Sequence, residues 1–153
     1  MHEFEEIETW VLNALNPLVS EGLKTLELYT GQADAKSIEE LAKMTARFPC
    51  VYVLATGLTL DYKNKYDEES IGVMLIAGDR ILRKAESSRL GDSQNMGVYV
   101  LLEHTEALLH RKKVYSSGIL RLEKAGPLFL SPKKGICFYA AYYRLNTIRA
   151  VDG

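Results

Sequence analysis

The chain has 153 residues, a length that suits one globular core and leaves little material for a second. Its 47% apolar and 25% charged residues are the balance of a folded domain, which argues against intrinsic disorder. With 19 basic against 20 acidic residues the formal net charge is −1, so no global field draws the protein to nucleic acid or an anionic membrane.

The N-terminal segment places Phe4, Ile7, Val11, Ala14, Leu15 and Leu18 at offsets of three and four, which predicts an amphipathic helix. Glu3, Glu5, Glu6 and Glu8 suit the positive end of that helix and are the reverse of a basic signal-peptide start. Pro17 should kink or end it. Residues 23–29 alternate as a short strand closed by Gly31. Ser37 and Glu40 then form a capping box for a second helix with Ile38, Leu41 and Ala42 on its apolar face. Pro49 opens a strand through residues 50–55, polar residues 61–67 predict a turn, and residues 71–77 return as the partner strand.

Residues 78–95 lose periodicity and predict a long loop, of the kind that is mobile or forms an interface. A third helix is expected over residues 96–112, with Val98, Leu101, Leu102, Thr105, Leu108 and Leu109 inward. Gly126-Pro127 and Ser131-Pro132 should break the chain into short extended pieces. A last strand, over residues 135–148, is rich in aromatic and β-branched side chains. The order predicts one α+β domain over residues 1–153, a mostly antiparallel sheet of four to five strands with helices packed on one face.

No pattern calls for catalysis, a cofactor or a metal. His104 and His110 are six residues apart and therefore about 120° apart on a helix, not the i, i+4 pair that shares a zinc. Cys50 and Cys137 sit in apolar runs without partners at metal-ligand spacing, and read as reduced, buried thiols. There is no nucleophile-elbow serine and no phosphate-cradling loop. No apolar run approaches the length that spans a bilayer.

What remains are interface candidates. Arg80, Arg83, Lys84 and Arg89 put a basic cluster on the long loop, either as solvated surface or as a docking site for an acidic partner. It lacks the interleaved aromatics of a nucleic-acid surface. Arg111, Lys112 and Lys113 read as cations complementing the end of the third helix. Phe138, Tyr139, Tyr142 and Tyr143 place aromatics on both faces of the last strand, one face for the core and the other for a helix, solvent or a second subunit. Tyr139 and Tyr143 are the interface candidates from this strand.

YTGQ at residues 29–32, RFPCVYV at 47–53 and GVYVLLE at 97–103, with the closing aromatic strand, resemble the Mu-like phage Gp37 family in order and spacing. The resemblance spans the chain from the first helix to about residue 147. It implies a tail-terminator-like α/β fold and a tail terminator. Such a protein forms a hexameric ring that caps the tail tube, ends its growth and offers a surface to the head connector. The implied partners are further copies of the chain, the tube protein and the sheath and connector proteins, with no membrane and no sequence-specific nucleic acid. The implied location is the host cytoplasm during assembly and then the virion tail. The family brings no catalytic residues. Another neck or tail-completion adaptor and a small hydrolase stand as the alternatives.

Overall fold

A computed structural model describes residues 3–33, 40, 47–62, 66–80, 89, 91, 96–114, 118–131 and 135–150. In chain order the elements are helix α1 (Glu3–Leu15), a single turn α2 (Pro17–Ser20), β1 (Thr25–Leu28), β2 (Cys50–Tyr62), β3 (Tyr66–Arg80), helix α3 (Val98–Leu109), β4 (Lys112–Val114), β5 (Gly118–Ser131) and β6 (Ile136–Ala150). The strands form one six-stranded sheet in the order β1-β2-β3-β6-β5-β4, curled into a half-barrel. β1 runs parallel to β2 and the remaining neighbours are antiparallel. The sheet is therefore mixed and has six strands, against the expected four to five.

The first helix follows its periodicity. Ile7, Val11 and Leu15 are buried, and the helix stops at Asn16 because Pro17 supplies no N–H to continue it. Pro17 instead starts α2, where a missing donor costs nothing. The helix predicted from Ser37 falls, apart from Glu40, outside the described residues.

Two strands run longer than their apolar cores suggest. β2 continues to Tyr62 and β3 begins at Tyr66, so Asp61 and Asp67 lie in the ladder and not in a turn. Pairing with β6 continues along this polar stretch, with Asp67 level with Arg149 and Ser70 level with Asn146 in the backbone register. At the other end β3 runs through Gly78 to Arg80, three residues into the segment expected to be loop.

β5 is the largest departure. It passes unbroken through Gly126-Pro127, with bulges between Leu122 and Lys124 and between Pro127 and Phe129. Proline is tolerated there because residues 121–131 have no described strand on their outer side. The basic run also changes meaning. Arg111 adopts φ 61°, and Lys112 and Lys113 belong to β4, so they guard a sheet edge and do not complement the end of α3.

Two cores lie on opposite faces of the sheet. Under α1 and α3, Val51, Val53, Ile71, Val73, Leu75, Cys137, Tyr143 and Leu145 pack with Ile7, Val11, Leu15, Val98, Leu101 and Leu109. Burying each such leucine or isoleucine is worth about 1.5–3 kcal/mol. On the open face Phe48, Cys50, Tyr52, Ile76, Ile136 and Phe138 pack with Ala33. Gly78 makes that packing available, because a Cβ there would lie 2.4 Å from Phe138 Cε1 and 3.0 Å from Cys50 Sγ. Cys50 and Cys137 are both buried and free, one in each core, with β3 between their strands.

Candidate functional site

The segments that carry the family resemblance fold as local structural devices. In YTGQ, Gly31 takes φ 100° and Gln32 closes the turn, its amide donating to the Leu28 carbonyl at 3.1 Å and its Oε1 accepting from the Thr30 N–H. In RFPCVYV, the Arg47 guanidinium donates to Glu27 Oε1 at 2.7 Å and its carbonyl accepts from Thr25 Oγ1 at 2.9 Å, which fastens β1 to the entrance of β2. In GVYVLLE, Gly97 starts α3 at φ 80°. Its N–H donates to Asp79 Oδ2 at 2.9 Å, while Asp79 Oδ1 accepts from the Arg80 N–H at 2.8 Å. Asp79 is fully buried, and its carboxylate stands at the positive end of α3. Nothing local in the sequence marks Asp79, because its anchoring of α3 depends on a contact 18 residues away.

Beside this anchor the structure brings together residues from three separate parts of the sequence. Tyr99 of α3 and Tyr139 of β6 meet edge to face, ring centroids 5.5 Å apart at 89°, with their hydroxyls 3.1 Å apart. Arg89 hydrogen-bonds both hydroxyls, and these bonds, the one to Tyr99 first, hold its guanidinium above its ordinary range. Tyr139 is pushed up chiefly by its bond to Tyr99. Arg89 and Tyr139, two of the predicted interface residues, are thus neighbours, and Tyr99 joins them as a residue the sequence reading missed. Next to them on β5, Leu128 and Leu130 are 43% and 48% exposed.

The other predicted residues fare differently. Arg80 ends β3 and is half-buried. Arg83 and Lys84 lie outside the described residues. Tyr143 is corrected: it is 2% exposed, in the helix-side core, and cannot face another subunit. Residues 137, 139, 141, 143 and 145 share the face under the helices, while Phe138, on the other face, fills the second core.

Burial favours the protonated forms of both cysteines and of one core tyrosine. Burial pushes the Cys50 thiol up to about 12, the Cys137 thiol to about 11 and the Tyr143 phenol to about 12. At neutral pH these thiols are not nucleophiles. Among the described residues no group of three or more His, Cys, Asp or Glu side chains could hold a metal ion. His110 uses Nδ1 to accept the Leu122 N–H at 2.9 Å, capping the outer side of β5. His104 Nδ1 lies 3.2 Å from Glu21 Oε2, within ion-pair reach when protonated but off line for a hydrogen bond. That pair walls a shallow recess of about 210 Å³ between α2 and α3. A second groove, of about 380 Å³, crosses the polar end of the open face between Thr56, Gly72, Glu123, Lys124, Tyr142 and Arg144. Arg144 bonds Glu123 and Ser70 within it, and Lys124 lies 4.9 Å above the Tyr142 ring. Among the described residues no helix is long and apolar enough to cross a membrane.

The fold and its surfaces define an α+β protein with a mixed half-barrel sheet, organised around strand edges and exposed corners more than around a reactive cleft. The family described as "Bacteriophage Mu, Gp37" matches residues 3–146, and the chain belongs to that family. Membership agrees with a phage structural protein that is not an enzyme. A comparison with curated proteins returned no significant match.

Proposed function

We propose that this protein is a phage tail terminator, a structural subunit that assembles into a ring, six copies by family resemblance, on the end of the tail tube. The ring stops tube polymerisation and presents the surface to which the head connector joins. The observation that carries the reading is membership of the Mu Gp37 family over nearly the whole chain. The geometry agrees with it, since exposed apolar and basic side chains gather at a sheet corner and the buried thiols are held protonated. The subunit would meet two different neighbours through two different surfaces, tube or sheath on one side and connector on the other, assembling in the host cytoplasm and remaining in the virion tail.

Electron microscopy of lysates from the phage or tail-like element carrying an early stop codon in this gene tests the proposal. Overlong or irregular tails with unattached heads are expected. Tails of normal length joined to heads would remove the terminator role.

A further inference from the structure

Both sides of the sheet end in a step. β1 covers β2 only at residues 50–53, and the Ala55 N–H beyond it is capped by Glu8 Oε2 at 3.0 Å. β4 covers β5 only at residues 118–120, and the Leu122 N–H beyond it is capped by His110. Among the described residues, 56–62 of β2 and 123–130 of β5 therefore have no strand on their outer side. The two uncovered stretches occupy opposite corners of the sheet. Tyr62 is level with Asp67 and Arg149, at the end where β2 and β3 are joined. Leu130 is level with Cys137 and Asp79, at the other end.

The two corners match in chemistry and face by face. Leu58 stands opposite Ile71, and Leu130 opposite Cys137, so both belong to the helix side of the sheet. By alternation Leu60 and Tyr62 lie on that side with Leu58. Leu58, Tyr62 and Leu130 are 37%, 73% and 48% exposed, so each corner presents apolar surface to solvent. On the open side Asp61 and Glu68 are two acids in register, whereas Arg121 and Lys124 stand opposite Arg144 and Tyr142. The acid of that basic corner, Glu123, is already engaged by Arg144.

We infer that the occupant of the β5 corner is a second copy of this chain, seated through the residue 56–62 stretch of its β2. The contact deepens the ring reading above and rests on it. Within one copy β2 and β5 run antiparallel, three antiparallel neighbours apart, so a copy that continues the sheet lays its β2 antiparallel to β5. That orientation keeps the faces in common: with Asp61 opposite Lys124 on the open side, the antiparallel register brings Leu58 against the bulge at Leu128 on the helix side and leaves Tyr62 and Leu130 at the two ends of the overlap. The steps fit as a lap joint, with β1 of one copy and β4 of the next at opposite ends of the overlap. Pro127 and the two β5 bulges exclude a long regular ladder, so side chains carry the contact. Because the two corners differ, the contact is head to tail and repeats from copy to copy, closing into a ring when the rotation allows.

Full-length chains carrying Leu58→Cys or Leu128→Cys are oxidised separately and mixed, both as concentrated purified protein and in assembling lysates. A disulfide-linked dimer is expected in the mixture and absent from each variant alone, and one chain carrying both substitutions should give a ladder of products. Dimer from Leu128→Cys alone, which reports two β5 edges meeting about a two-fold axis, or no dimer in any sample, overturns the contact. Asp61→Lys should shift the oligomer to monomer in sedimentation, and adding Lys124→Glu should restore it; loss without restoration counts against the charge pairing. Rings seen by microscopy without the cross-link would leave the terminator reading standing and discard this contact.

Discussion

Under the helices, buried side chains run without a gap across five strands, from Val51 through Val73 and Tyr143 to Leu120 and Val114. On the other face burial reaches Tyr52, Ile76 and Phe138 and then gives way to Ser70, Lys124, Tyr142 and Arg144. Both faces come from the same strands by strict alternation, so strand propensity cannot be what separates them. The difference is cover. Among the described residues, α1 and α3 pave the first face, while the second is covered at one end, where Phe48 and Ala33 close over Cys50 and Phe138. Where cover ends, polar side chains take over from the core.

Breaking the smaller core has the largest expected effect. Phe138→Ala removes a fully buried ring packed 5.9 Å from Phe48 and should cost about 3–5 kcal/mol in urea unfolding. A cost below about 1 kcal/mol would mean that the open-face cluster adds little and that the helix-covered face alone holds the fold.

Next comes the polar anchor of the covered side. Asp79→Ala strips the acceptor from the Gly97 and Arg80 N–H groups and should destabilise by about 2 kcal/mol, with Asp79→Asn recovering part of it. Unfolding of the alanine variant indistinguishable from the parent would show that α3 does not need this anchor.

Alkaline pH compares the faces directly. Cys137 and Tyr143 lie on the covered side and Cys50 on the other, and burial raises all three above their ordinary values of 9.0 and 10.0. Each group is harder to ionise folded than unfolded, so above its ordinary value the unfolded chain binds fewer protons and stability falls as pH rises. The unfolding midpoint should therefore be insensitive to these groups at neutral pH and drop from about pH 9 upward. Cys50→Ala should flatten part of that drop, and an unchanged pH profile in this variant would mean that Cys50 titrates alike in both states.

The smallest effect on folding belongs to the corner. Leu130→Ala should change monomer stability by less than about 0.5 kcal/mol, since the side chain is half exposed. It should nevertheless weaken self-association in sedimentation. A large folding defect would place Leu130 in a core and not on a surface.

The chain's local patterns determined a good deal. Apolar offsets in residues 4–15 marked α1, Pro17 set its end, Gly31 marked a turn, and alternation marked the strands that became β2, β3 and β6. These features depend on neighbours within a few residues, where steric and periodic rules act. The ordered motifs led to the family, which the match over residues 3–146 places beyond the local patterns.

Other features were decided only in three dimensions. Pro127 argued against a strand, yet β5 accepts it because one side of that strand lacks a described neighbour. Alternation put Tyr139 and Tyr143 on one face, but only the position of α3 decided that Tyr143 is core while Tyr139 reaches Tyr99 and Arg89. Asp79, His110 and Glu8 look like ordinary polar residues in the chain, and each becomes a cap for a backbone N–H brought from elsewhere in the sequence. Periodicity is written locally; cover, edges and corners follow from contacts between distant segments, which local pattern does not encode.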